Sequence, residues 1–126
     1  MARTSQELLW KLAEADEVQI ETRRDAKSPV HRTTIWIVPS KDGVYVRSVR
    51  GKRGRWWQET MANPRVAIHV GPEKVHALAE LEKNPSVIKE VSEAFREKYG
   101  ERWPNDTESL LRPSVLDTTL RLTEIP

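Results

Sequence analysis

Apolar residues recur along the chain at two spacings, and the switches between them mark its elements. Leu8, Leu12 and Ala15 share one face at i, i+4 intervals, with Leu9 beside them. Thr4 and Glu7 have capping-box spacing, so TSQELLWKLAEAD predicts a helix. The period then drops to two. Val18, Ile20 and Thr22 alternate with Gln19, Glu21 and Arg23, the signature of a strand with one dry face. After the loop DAKSPVHR comes TTIWIV, β-branched and aromatic, read as one central strand. PSKDG predicts a turn with Asp42-Gly43 at its tip, and VYVRSV the next strand. GKRG breaks the pattern. RWWQETMANP predicts a short helix ended by Asn63-Pro64, because the residue before proline avoids helical angles.

RVAIHV and KVHALAEL predict a second hairpin around GPE. NPSVIKEVSEAFREKYG carries the strongest helical pattern. Asn84 can cap it, Pro85 suits the first helical position and Gly100 the residue past its end. Val87, Val91, Ala94 and Phe95 form its dry stripe. ERWPNDTESLLRP reads as irregular with one helical turn, and VLDTTLRLTEI as a closing strand. The predicted order is α-β-β-β-α-β-β-α-β. Six mainly antiparallel strands in so short a chain point to a small barrel, which abolishes sheet edges. No repeat or linker divides the sequence, so one domain over residues 1–126 is expected, with a helix at about 5–15.

Composition narrows the function classes. The 126 residues can bury a modest core, and a 37% hydrophobic fraction argues against disorder. Net charge is only +2, so the chain is no polycationic DNA coater. Its basic excess is local, in residues 47–55. The absence of cysteine removes disulfides, thiolate metal sites and cysteine nucleophiles. No apolar run reaches the roughly 20 residues that span a bilayer, and the N-terminus lacks a signal-peptide core. A soluble, cytoplasmic protein without membrane attachment is the expectation.

The basic run YVRSVRGKRGRWW carries the candidate chemistry. It reads as solvated surface, a nucleic-acid patch, or a cradle for a phosphorylated cofactor. A phosphate needs cationic side chains and closely approaching amides, which glycine permits. If RWWQET is helical, its first amides add an anion-favouring field. Trp56 and Trp57 diverge by roughly 100° on a helix, one packing inward and one free to close a pocket. Five tryptophans stand against one phenylalanine, and packing accounts for most of them. In the second hairpin, pairing Val70 with Val75 would set His69 opposite His76, Cβ atoms about 5 Å apart. Such a pair can share a metal, but no cysteine or carboxylate set completes a site, so a half-exposed pair and no metal are expected. No catalytic signature is present, and no general acid or base is named.

TIWIV, YVRSVRG, RWW, AFREKYG and TTLRL, in this order from about residue 16 onward, resemble domain-of-unknown-function family 2255. More loosely, KSPVHRTTIWIV followed by RSVRGKRGRWWQETMANPRVAIHVG is similar to the deazaflavin-dependent nitroreductases. Both belong with the pyridoxamine 5′-phosphate oxidase-like split barrels. The resemblance implies a mainly β fold with flanking helices, a six-stranded antiparallel split barrel. It also implies a homodimer holding FMN or deazaflavin, occasionally haem, at its interface. On that reading Arg32, Thr33, Thr34, Ile35 and Trp36 flank the ring. Arg47, Ser48, Val49, Arg50, Gly51 and Lys52 surround the phosphate, and Trp56 and Trp57 close the pocket. The expected role is flavin or deazaflavin binding, extending to reduction of a small organic acceptor, since the cofactor would carry the chemistry. The alternatives are a cofactor-free dimeric interaction module and a nucleic-acid-binding barrel using residues 47–55, the latter disfavoured because no basic stripe tracks a backbone.

Overall fold

The computed structural model describes residues 4–41 and 43–125. Twelve elements follow one another: α1 (Ser5–Leu12), β1 (Val18–Thr22), β2 (His31–Ile35), β3 (Val38–Ser40), β4 (Gly43–Val46), α2 (Arg55–Ala62), β5 (Arg65–Val70), β6 (Glu73–Leu81), α3 (Pro85–Tyr99), α4 (Pro104–Ser109), α5 (Pro113–Leu116) and β7 (Leu120–Glu124). All seven strands join one antiparallel sheet in the order β2-β1-β5-β6-β7-β4-β3. The strands at its two ends, β2 and β3, are neighbours in sequence, linked by only Trp36 and Ile37. So short a link brings the two ends together, and the sheet must curl to allow it.

Here the structure corrects the strand count. TTIWIV is not one strand but the place where the chain leaves β1 for β4, so there are seven strands rather than six. At the joint, main-chain groups lose ladder partners and α3 replaces them. The Tyr99 hydroxyl accepts the Ile37 N–H at 3.2 Å and donates to the Asp16 carbonyl at 2.7 Å. The Lys98 ammonium donates to the carbonyls of Ala13, Ala15 and Ile37 at 2.7–2.8 Å, a cation placed at the C-terminal end of α1. Burial pushes Lys98 down to about 8 and Tyr99 up to about 12.

Two cores result. Inside the curl, Val18, Ile20, Ile37, Val44, Val46, Ile68, Leu120 and Leu122 pack with Leu9 and Leu12 of α1 and with Trp56 and Trp57 of α2. Outside it, α3 lays Val91, Phe95 and Tyr99 on Val38 and Tyr45. Trp36 stacks on Tyr99, ring centres 4.0 Å apart and planes 6° from parallel.

Several helix ends match the sequence reading. Thr4 Oγ1 accepts the Glu7 N–H at 3.0 Å, and Asn84 Oδ1 accepts the Ser86 N–H at 2.9 Å. The segment read as irregular with one helical turn holds α4, while α5 runs from its last residue into the stretch read as a strand; each helix is opened by a proline, and the closing strand begins only at Leu120. Asp42, the predicted turn tip, lies outside the described residues. The second hairpin turns on Gly71-Pro72 alone, pairing Val70 with Glu73, so His69 faces Lys74 and His76 faces Ala67. The expected His69–His76 pair is therefore not formed. His69 Nε2 meets Glu21 Oε1 at 2.8 Å instead. Among the described residues, no helix is long and apolar enough to cross a membrane, and no group of three or more His, Cys, Asp or Glu could hold a metal ion.

Candidate functional site

Beyond the end of β4 the chain leaves the sheet, makes one 3-10 turn at Gly51–Arg53 and enters α2. Two glycines permit this path. Gly51 has φ +65°, where a side chain would be strained. A Cβ on Gly54 would overlap the Ser48 hydroxyl, which donates to the Gly51 carbonyl at 2.7 Å. Gly54 is also the residue that caps α2, and it offers no side chain to the first-turn amides. Those donors remain available to an anion.

This turn forms one wall of a groove of about 660 Å³. The other walls are β2 with Trp36, the residue before β1, and α4. That volume falls in the range of small-molecule sites, roughly 300–1,000 Å³. Of the residues expected in the site, Thr33, Thr34, Ile35, Trp36, Arg47, Ser48, Val49, Arg50 and Trp56 all line the groove. The curl unites them: β2 and the end of β4 lie far apart along the sheet order yet share one cavity.

Four expected residues lie elsewhere. Arg32 lies on the exposed face of β2, 4.0 Å from Glu21 Oε1. Gly51 is buried beneath the turn, near the Ser114 carbonyl. Lys52 Nζ pairs with Asp117 Oδ2 at 3.0 Å, outside the groove. Trp57 packs in the inner core, away from the groove. Helical geometry explains Lys52 and Trp57, since consecutive residues of a 3-10 turn or an α-helix point in directions roughly 100–120° apart.

The structure adds Glu17, Gly54, Arg55, Asp106, Ser109 and Leu110 to the lining. Arg55 belongs to the basic run, and only the start of α2 singles it out. Asp106, Ser109 and Leu110 come from the segment read as irregular. The signal there was Pro104 with Asp106 two residues later, a helix start.

The arginines in the groove differ sharply. Arg47 is 2% exposed. Its Nε donates to Thr119 Oγ1 at 2.7 Å, Nη1 to Ser92 Oγ and the Leu110 carbonyl at 2.8 and 3.0 Å, and Nη2 to the Ile88 carbonyl at 2.8 Å. The Arg50 and Arg55 side chains are exposed, and neither makes a hydrogen bond or contact ion pair among the described residues, although the Arg55 charge helps to hold the Glu59 carboxyl low. One turn along α2, the buried Glu59 carboxylate accepts from Thr22 Oγ1 at 2.7 Å and meets His31 Nδ1 at 2.8 Å, holding the helix to β1 and β2. Burial alone would raise the Glu59 pKa, but the Thr22 and His31 contacts outweigh it and the carboxyl is held low.

Solved structures with this fold include three at low identity. A Listeria innocua protein assigned as a pyridoxamine 5′-phosphate oxidase shares 18% identity at TM-score 0.63, over 94% of this chain and 91% of that one. HutZ, a haem storage protein of Vibrio cholerae, shares 16% at TM-score 0.64, over 98% and 92%. An F420-H2-dependent reductase shares 12% at TM-score 0.62, over 86% and 94%. At these identities the likeness is one of fold, the split barrel. No curated protein matches the sequence. The family model described as an uncharacterized protein conserved in bacteria, domain of unknown function 2255, matches residues 8–122, and the chain belongs to that family.

Proposed function

We propose that the groove binds a flavin or deazaflavin by its phosphate and ring, in a protein that extends to reducing a small organic acceptor. The observation that carries this reading is the pair of exposed arginines, Arg50 and Arg55, neither held in a contact ion pair among the described residues, beside the first turn of α2, which no side chain caps, in one groove. Exposed cations and helix-start N–H groups along one groove favour an anion with several acceptor oxygens. The glycine at position 54 lets the turn pack closely on Ser48, since a Cβ there would collide with its hydroxyl. These residues fit a phosphate. From there the groove runs past Trp56 to Thr33, Thr34, Ile35 and Trp36, apolar faces interleaved with hydroxyls, which suit a flat heterocycle. Such a cofactor supplies hydride transfer when bound. The chain's own work is to hold the phosphate, press the ring against β2 and keep Val49 and Trp56 between it and water.

Neighbours of this fold named for F420-H2-dependent reduction and for haem storage support ligand binding as a use of the scaffold without selecting the ligand. We also take the protein to act as a homodimer in which a second copy covers the groove, because Val49 in its wall is 55% exposed. Titrating the purified protein with FMN, and separately with F420, tests the reading through flavin fluorescence. The Arg50→Ala/Arg55→Ala double variant should weaken binding by about 2–3 kcal/mol, as for lost charge-assisted hydrogen bonds, while the melting temperature stays put. Equal affinity in the variant would remove the cradle; no binding of either cofactor would remove the proposed function.

A further inference from the structure

Arg55 and Glu59 stand four residues apart on α2, the spacing at which a guanidinium and a carboxylate on one helix ordinarily pair. Glu59 is the sole acidic residue of that helix. Yet no contact ion pair joins the two among the described residues. Glu59 is 5% exposed and turned into the protein, while the Arg55 side chain is exposed and lines the groove. The last rung of the first hairpin is what draws Glu59 away. Thr22 of β1 and His31 of β2 lie directly opposite each other, and each takes one carboxylate oxygen. The Thr22 hydroxyl donates to Oε1 at 2.7 Å, and His31 Nδ1 meets Oε2 at 2.8 Å. Because that carboxylate is held ionised, Nδ1 carries the donated proton. The neighbouring charges of the hairpin are engaged elsewhere. Arg23 donates to the Ser28 carbonyl at 2.9 Å, and Glu21, on the opposite face of β1, meets His69 and lies 4.0 Å from Arg32.

We infer that His31 is a positioning residue of the anion cradle: with Thr22 it keeps the Glu59 carboxylate inside the protein, so that Arg55 is left to an anion in the groove. The inference rests on the reading of this turn as a phosphate cradle and adds to it a residue that does not line the groove. Without His31, one carboxylate oxygen loses its donor, and Arg55, one turn away, is the cation of the same helix that it can take instead. An Arg55 paired in that way offers fewer N–H groups to a phosphate, and the uncompensated carboxylate also repels one. His31 thus acts through Glu59 and needs no contact with the ligand.

Protein labelled with 15N-arginine tests this through the Arg55 Nε–H resonance, followed while inorganic phosphate is titrated. In the wild type the resonance should move as phosphate is added. His31→Ala should shift its starting position, as Arg55 turns to Glu59, and weaken phosphate about threefold, the scale of an ion pair at this helical spacing. His31→Asn, which keeps an N–H donor near the place of Nδ1, should behave as the wild type. The decisive arm is the His31→Ala/Glu59→Gln double variant. It should recover the wild-type resonance and affinity, whereas a pair that merely ties α2 to the sheet would recover nothing when both members are removed. Should His31→Ala fail to fold, Glu59→Gln alone gives the second readout and should bind phosphate at least as tightly as the wild type. The inference is overturned if His31→Ala leaves resonance and affinity unchanged, if Glu59→Gln restores neither, or if Glu59→Gln alone weakens phosphate. A wild type that ignores phosphate, with an Arg55 resonance that still responds to His31→Ala and returns with Glu59→Gln, would reject the cradle and leave the diversion of Glu59 standing.

Discussion

Arg47 and Arg50 stand three residues apart in one basic run and line the same groove, yet the fold gives them opposite conditions. Arg47 still follows the line of β4, so it is carried between the sheet and α3, where hydroxyls and carbonyls take four of its N–H groups and the Phe95 ring lies 5.6 Å from its guanidinium carbon. Arg50 comes after the chain has left the sheet and meets solvent. The inner wall is thus built around an arginine that holds the architecture together, and the outer wall around arginines that the architecture leaves free. Charge density along a sequence does not distinguish these uses. The end of a strand does.

The contrast breaks most visibly at the inner wall. Arg47→Met should destabilise the protein by about 2–4 kcal/mol in urea denaturation, because it strands buried acceptors on three elements. A loss below about 0.5 kcal/mol would show that those oxygens find other donors and that the inner wall is no anchor. At the outer wall, the Arg50→Ala/Arg55→Ala variant should show the reverse: near-native stability and weakened FMN.

Gly54 lies between the two walls. Gly54→Ala should cost about 1–3 kcal/mol, since its methyl group overlaps the Ser48 hydroxyl. Adding Ser48→Ala should recover part of that loss, and a double-mutant cycle measures the coupling. Simple additivity would mean that the two residues do not meet.

A smaller effect is expected from Glu59, which ties α2 to the sheet. Its folded carboxyl sits below the ordinary 4.5, so its contribution is fully present above that pH and fades as the pH falls through the lowered value. Glu59→Gln should flatten the decline of melting temperature between pH 4.5 and pH 3. An unchanged slope would assign the acid sensitivity to other carboxylates. The smallest effect belongs to Lys52, an exposed partner of Asp117. Lys52→Ala should change stability by less than about 0.5 kcal/mol and leave FMN affinity alone. Any marked loss of affinity would place Lys52 in the cradle after all.

Much of the fold was legible in local pattern. The buried alternation of Val18, Ile20 and Thr22, the stripe of Val91 and Phe95, and the caps at Thr4 and Asn84 all involve residues within a turn or two of one another. Strand register across the second hairpin was less legible. Moving the turn onto Gly71-Pro72 shifts every pair by two residues, which preserves the buried face and so leaves the hydrophobic pattern unchanged. The pattern therefore carried no warning that His69 would meet Glu21 rather than His76.

From its order of residues alone, the chain declared α1, α2 and α3, nearly all its strands, and the basic turn after β4 with the β2 segment beside it as one candidate site. Those features depend on neighbours close in sequence. Only the curled sheet decided that TTIWIV is split between two edges, that Arg47 is buried while Arg50 and Arg55 are exposed, and that α4 supplies a wall. Those outcomes rest on contacts between segments 41 to 72 residues apart, such as Arg47 with Ile88 and Thr119, and Ile37 with Tyr99. The burial that fixes a side chain's electrostatic role exists only once such segments have met.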